Sequence, residues 1–316
     1  MKAHHKVSMV LFCIAYVALP SAIAQILTKE DLQKELAAYE TASLQAKTPD
    51  MTPNQAGCIW LHLGVLYQDA GRYAQSEQAF NQALKLLRVA PVSLTDLAAV
   101  MDSLGTLYLE IGNVNEAKSL ESKALKIREQ ANLRSDLPRS WYHLATLYLR
   151  IHQADKAKDY AERAMHAFSS DADAAPEDKL GTLLVLGAAL YQSHQFAEAI
   201  AKLHSAYQMA KDTYGADKFP TGFSEFLLGY SYWKNGDPSS ASELMQHGTE
   251  IMGKELRWNH PAYLSIMEQY ARFLRDEHQQ NTARTIEQQV KNMRAQLNAN
   301  PAYGHSLQTM DIAALF

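Results

Sequence analysis

Between residues 27 and 297, apolar side chains return at three- and four-residue intervals, the spacing that lines one face of a helix. Short polar, Gly- or Pro-containing stretches interrupt this pattern. They divide the chain into a lone helix over 27–46 and six helix pairs: 54–70 with 73–89, 94–111 with 114–131, 137–151 with 154–168, 177–192 with 196–213, 221–234 with 238–254, and 261–276 with 280–297. Pro138 falls early in its helix and Pro238 in the first turn of another, where a missing N–H costs little. From Asn298 to Phe316 no period is visible, and the apolar end Ile312–Phe316 either docks on the last pair or stays apart from it.

Beneath this amphipathic pattern lies a second register, written in small residues. Gly64, Gly105, Ala145, Gly187, Gly229 and Ala271 sit near the middle of the first helix of each pair. Seven residues on come Gly71, Gly112, His152, His194, Gly236 and His278, where the chain turns. Five further are Ser76, Ala117, Ala157, Ala199, Ala241 and Ala283, and twelve after the turn are Ala83, Ala124, Ala164, Ala206, Gly248 and Val290. The turn positions recur every 40 to 42 residues. Amphipathicity alone repeats leucines but not this register. A small residue on each helix, at fixed distances from the turn, lets two backbones pack closely, and glycine turns the chain cheaply into the left-handed region.

This arrangement resembles the tetratricopeptide repeat, which has small residues at these three places of a helical hairpin. The ordinary copy recurs every 34 residues. The longer period here is similar to the kinesin-light-chain-like subclass, whose link before the next repeat is loosely matched by Gly215–Pro220 and by Asn259–Pro261. The resemblance covers about 53–297. It implies an all-α, right-handed solenoid of about six hairpins, with repeats near 54–90, 94–131, 137–168, 177–213, 221–254 and 261–297. It also implies that first helices line an inner groove, the extended concave surface of such stacks. Residues 25–52 would supply a capping helix and link, and 298–316 a tail.

The first 24 residues form a different object. A basic start, MKAHHK, precedes an apolar run of about 13 residues, and Ala22-Ile23-Ala24 offers a small-x-small cleavage site before Gln25. The run is shorter than a spanning helix requires. The expectation is a cleavable signal, an exported chain in the periplasm or outside the cell, and no stable membrane insertion afterwards. Cleavage would leave Cys58 as the remaining cysteine, so no internal disulfide would form.

Composition narrows the class further. Gly and Pro are few, at 14 and 10 of 316 residues, which favours helix. The formal net charge is -4, and loss of Lys2 and Lys6 with the signal would make it more acidic. No basic stripe suits nucleic acid. No His-Glu-x-x-His, Gly-rich phosphate loop or Gly-x-Ser-x-Gly elbow appears. No enzyme, cofactor or metal is therefore expected. His152 and His194 stand one repeat apart and His278 two repeats further on, too far to share an ion.

The expected function is a non-catalytic scaffold that binds a peptide or protein, with a monomer favoured. An accessory module for polysaccharide export or outer-membrane assembly is the alternative, and an enzyme the least favoured. Carried over by register from the resemblance, the groove candidates are Arg139, Tyr142, Arg150, Tyr191, Phe223, Phe226, Tyr230, Trp233 and Lys234. The four aromatics of the fifth hairpin are spaced 3, 4 and 3 apart and share a helix face. They either form an aromatic wall for apolar anchors or pack against a neighbouring helix or the tail. Arg139 and Arg150 would suit a carboxylate.

Overall fold

The computed structural model describes residues 29–45, 51–89, 93–255 and 261–299. The expected signal, and nearly all of the expected tail, lie outside these residues. Thirteen helices are present among them: α1 (Lys29–Gln45), α2 (Pro53–Asp69), α3 (Tyr73–Leu87), α4 (Leu94–Glu110), α5 (Val114–Gln130), α6 (Leu137–Arg150), α7 (Ala154–Ser170), α8 (Pro176–Gln192), α9 (Phe196–Tyr214), α10 (Phe219–Lys234), α11 (Pro238–Glu255), α12 (Pro261–Asp276) and α13 (Gln280–Asn298). One 3-10 turn, Arg134–Asp136, leads into α6. The architecture is an all-α solenoid of six antiparallel hairpins, α2/α3 through α12/α13, as the periodicity implies.

Each hairpin turns on one residue in the left-handed region. Gly71, Gly112 and Gly236 have φ of 69°, 83° and 82°, and His152, His194 and His278 have 55°, 61° and 61°. The histidines therefore adopt a backbone that glycine reaches without steric cost. Each turn closes through the same backbone bonds, such as Arg72 N to Tyr67 O at 2.7 Å and Gln195 N to Leu190 O at 2.9 Å. These satisfy carbonyls that the end of a helix leaves without a partner. At the other end, Thr52 and Gln55 form a capping box that starts α2, with Gln55 N donating to Thr52 Oγ1 and Thr52 N donating to Gln55 Oε1.

The small residues work as notches. A Cβ added at Gly64 would lie 2.5 Å from the Phe80 ring, at Gly187 2.7 Å from Leu203, and at Gly229 2.8 Å from Met245. At Gly64, Gly105, Gly187 and Gly229 the residue sixteen positions on fills the notch. Ser76, on the facing helix, also donates to the Gly64 carbonyl at 2.8 Å. Gly248 is tighter still: its absent Cβ would lie 2.5 Å from Gly222 O and 2.9 Å from Phe226 N, so α10 and α11 touch backbone to backbone.

First and second helices bury very different amounts. In α4 thirteen positions are buried, in α5 four. Successive first helices α2, α4, α6 and α8 also pack on one another in a row, and each second helix packs on the first helix that follows it. First helices therefore form the inner layer and second helices the outer one. Helix α1 completes this scheme at the N-terminal end. Its Leu32 and Leu36 join Leu63, Leu66 and Tyr67 in one apolar cluster. Tyr67 donates to Glu40 on α1 at 2.9 Å, as Tyr108 donates to Glu77 on α3 at 2.8 Å. Helix α1 thus takes the place of a second helix before the first hairpin.

The core is not uniform along the stack. One apolar cluster runs through hairpins one and two, another through three and four, and a third from α8 to α13.

Candidate binding surface

The inner layer carries the residues that the sequence nominates, and it splits them into two groups. Phe223, Phe226, Tyr230 and Trp233 all belong to the apolar cluster of the last three hairpins. Phe226 is 0% exposed and Tyr230 2%. Trp233 meets Tyr230 edge-on at 5.4 Å and Phe273 of α12 at 5.7 Å. Of the two arrangements open to these aromatics, packing against a neighbouring helix is the one present, with Trp233 against Phe273 joining α10 to α12. The glycine contact at Gly222 and Gly248 also draws α11 against the root of Phe226. Tyr142 and Tyr191 are likewise buried, but in the cluster of hairpins three and four, so they do not extend that aromatic row.

The cations lie at the rim of the same layer. Arg139 Nε donates to Asp178 Oδ2 at 3.2 Å, tying α6 to α8. Burial pushes the Asp178 carboxyl up to about 6, although Arg139 pulls it the other way. Arg150 Nη2 reaches the Leu109 carbonyl at 3.4 Å, and Gln192 Nε2 reaches the Leu149 carbonyl at 3.2 Å. Both side chains stand at the C-terminal end of a first helix, and each caps a carbonyl near the C-terminal end of the preceding one. Lys234 occupies the same level, its ammonium 3.6 Å from the Trp233 ring centroid. There it covers the aromatic face. Burial lowers its pKa, with Arg272 acting in the same sense and Asp276 against it. At the N-terminal end, burial holds the Asp69 carboxyl well above the ordinary carboxylate range, and the charges of Glu110 and Glu35 add to this.

Between the third and fourth turns an open pocket of about 300 Å³ is lined by His152, Ala154, Tyr191, Gln192, His194 and Phe196. Phe196 meets Tyr191 edge-on at 4.9 Å and His194 at 5.7 Å. Tyr191 was legible from the sequence as an inner-layer residue. The contributions of His152, His194 and Phe196 were not, because they come from two turns and from the start of the helix that follows one of them. The signal available was the two histidines standing where other copies have glycine.

A second feature was also missed. Between hairpins two and three the inner-layer residues Asp102, Ser140 and His143 meet Glu121 and Arg128 of the second helix α5, and all five are buried. Arg128 Nη2 lies 2.6 Å from Asp102 Oδ2, and its Nη1 donates to Ser140 Oγ at 2.6 Å. Glu121 fills the notch at Gly105, where a Cβ would meet its Oε1 at 2.5 Å. Burial first, and Asp102 second, hold the Glu121 carboxyl well above its ordinary range. The signal lay in the register: the position sixteen after the small residue is Phe80, Ala161, Leu203 or Met245 in hairpins one, three, four and five, but Glu121 in hairpin two.

No group of three or more His, Cys, Asp or Glu among the described residues is placed to hold a metal ion. Among the same residues no helix is long and apolar enough to cross a membrane.

A stack of helical hairpins with an inner layer of first helices and a small-residue register defines a helical-repeat protein. Tetratricopeptide repeat profiles match residues 55–130 and 178–254, and a further one matches 138–166. The chain belongs to the tetratricopeptide repeat family. It is 25% identical over 154 residues to kinesin light chain-related protein 2 of Arabidopsis thaliana. That match covers 48% of this chain but 23% of the relative, so the chain spans under a quarter of the curated protein it matches. In fold it is similar to the Rap conjugation gene regulator of plasmid pLS20 in complex with the Phr* peptide, at 14% identity and a TM-score of 0.69, over 87% of this chain and 73% of that one. Aspartyl phosphate phosphatase F from Bacillus subtilis superposes over 87% of this chain and 70% of its own, at 14% identity and a TM-score of 0.62.

Proposed function

We propose that the chain is a non-catalytic binding scaffold that takes a peptide segment of a protein partner along the rim of its inner layer. The carrying observation is the open pocket at Tyr191, Gln192 and Phe196, which adjoins the line of polar side chains Arg150, Gln192 and Lys234 at the ends of first helices. A pocket with aromatic walls accepts an apolar anchor, and neighbouring donors fix the backbone or a carboxylate of the bound segment. Arg139, Tyr142, Phe223, Phe226, Tyr230 and Trp233 support this rim from below rather than meeting the ligand. The Rap regulator solved with a peptide lends support at the level of fold.

The test is selection of binders from a random peptide library displayed on phage, using the full chain as bait. Enriched peptides should lose at least tenfold in affinity when Gln192 and Lys234 are both changed to Ala, with the melting temperature kept. Enriched peptides indifferent to that double change, or no enrichment at all, would overturn the reading.

A second reading, binding of glycan in polysaccharide export or outer-membrane assembly, draws on the same aromatic and amide lining. Competition of a selected peptide by soluble oligosaccharides would favour it. We further propose that residues 1–24 direct export and are removed, placing the scaffold in the periplasm or outside the cell, and that its 40–42-residue period puts it in the kinesin-light-chain-like subclass. Mass spectrometry of the protein from an exporting host should find Gln25 as its first residue. An intact N-terminal segment would contradict the export proposal.

A further inference from the structure

Most hairpins of the stack are sealed to the next by apolar side chains; the seam between the second and third is sealed in its middle by charge. Its walls are α4, α5 and α6. From α4 come Asp102 and Thr106, from α5 Glu121 and Arg128, and from α6 Ser140, Tyr142 and His143. Asp102 and Glu121 are both 0% exposed. Arg128 is the guanidinium beside them, its Nη2 2.6 Å from Asp102 Oδ2. Asp136, from the 3-10 turn before α6, acts on the guanidinium from outside the pair. His143 Nδ1 lies 3.2 Å from Thr106 Oγ1 and 3.9 Å from Glu121 Oε1. Tyr142 contributes a hydroxyl that stays neutral.

The charge count decides what this seam holds. Two ionised carboxylates against one guanidinium leave a net negative charge in a site closed to water. Such a charge costs several kcal/mol unless it is neutralised. One proton, held by Glu121, brings the cluster to zero. Space gives the same answer. Glu121 sits fully buried in the Gly105 notch, its Oε1 2.5 Å from where a Cβ would stand. Hydrating its charged form requires α5 to move away from α4 and α6. Elsewhere the corresponding notch is filled by Phe80, Leu203 or Met245, which carry no charge.

We propose that the Asp102–Glu121–Arg128–His143 cluster is a proton-controlled seam: with one proton bound it locks hairpin two onto hairpin three, and loss of that proton loosens the joint so that the first two hairpins swing relative to the rest. The apolar patch of Leu109, Ala117 and Leu147 at the turn end of the seam remains as the pivot. The sign follows from the acid. A carboxyl that binds its proton more tightly in the closed form stabilises that form at low pH, and the contribution is lost as pH rises through its raised value. The device works on the free chain and does not depend on the peptide-binding reading.

The experiment uses the full chain without ligand. Small-angle scattering and amide exchange, corrected for intrinsic rates, are followed from pH 5 to pH 9. In the wild type the radius of gyration should rise toward alkaline pH, and protection of α5 and α6 should fall at least tenfold while α9 to α11 hold theirs. Glu121→Gln, which mimics the protonated carboxyl, should abolish both changes. Asp102→Asn should abolish them too, because Glu121 can then ionise against Arg128; it also serves if the first variant does not fold. A flat wild-type profile overturns the proposal. So does a loosening of α5 above pH 7, beyond the range in which Asp178 titrates, that survives in either folded variant, or one spread evenly over all hairpins.

Discussion

Hairpin two and hairpin five share one register and seal themselves by opposite means. In hairpin five the notch at Gly229 takes Met245, Gly248 brings two backbones into contact, and Phe226, Tyr230 and Trp233 run on into the next hairpin as continuous apolar packing. In hairpin two the notch at Gly105 takes Glu121, and the core ends against Asp102 and Arg128. The same backbone geometry thus accepts an apolar knob or a buried ion cluster. The apolar version carries no charge in its notch. The ionic version is stable only while its charges balance, which makes it a point of control rather than a stronger joint.

The largest expected effect breaks the polar side of this comparison. Arg128→Met should lower unfolding free energy by about 3–5 kcal/mol, because two buried carboxylates lose their cation. Adding Asp102→Leu and Glu121→Leu should restore most of it, converting the seam to the apolar kind. Urea denaturation of the two proteins decides, and equal instability would mean that charge is not the cause. On the apolar side, Gly248→Ala should cost about 3 kcal/mol, since the new Cβ meets backbone that cannot rotate away. Gly236→Ala, whose Cβ meets nothing within 4 Å, should cost only about 1 kcal/mol for its φ of 82°. A pair of thermal melts with equal shifts would remove close backbone packing as the explanation.

Acidity sharpens the contrast. Asp178, also on the polar side, has its carboxyl raised to about 6 when folded. Its contribution is therefore full below the unfolded value near 4 and is lost as pH climbs through about 6, a loss of about 3 kcal/mol. Denaturation midpoints should fall from pH 4 to pH 7 in the wild type and fall less in Asp178→Asn. The smallest effect concerns the turns. His278→Gly should gain about 0.5–1 kcal/mol by relieving a left-handed non-glycine residue. No gain in melting temperature would indicate that the His278 side chain makes a compensating contact.

Much of the fold was legible because its cause is local. Small residues at Gly64, Gly105, Gly187 and Gly229 lie in notches, and all six turn positions take positive φ, since backbone approach and turning need particular residue types. The candidate surface was less legible. Inner-layer register correctly placed Arg150, Tyr191 and Lys234 on first helices, but it could not say that Phe226 would vanish beneath α11. That depends on how far Gly248 lets two helices close. The pocket at Tyr191 was hidden because most of its lining comes from turns and the helix starts just after them.

By itself, the sequence determined the all-α repeat, the hairpin count and the turn residues, for each follows from spacing within about forty residues. Only the tertiary structure decided which inner residues are wall and which are core, and that Asp102, Glu121 and Arg128 meet. Those outcomes depend on the packing of three helices at once, and a charge far along the chain carries no mark of the partner it will be buried against.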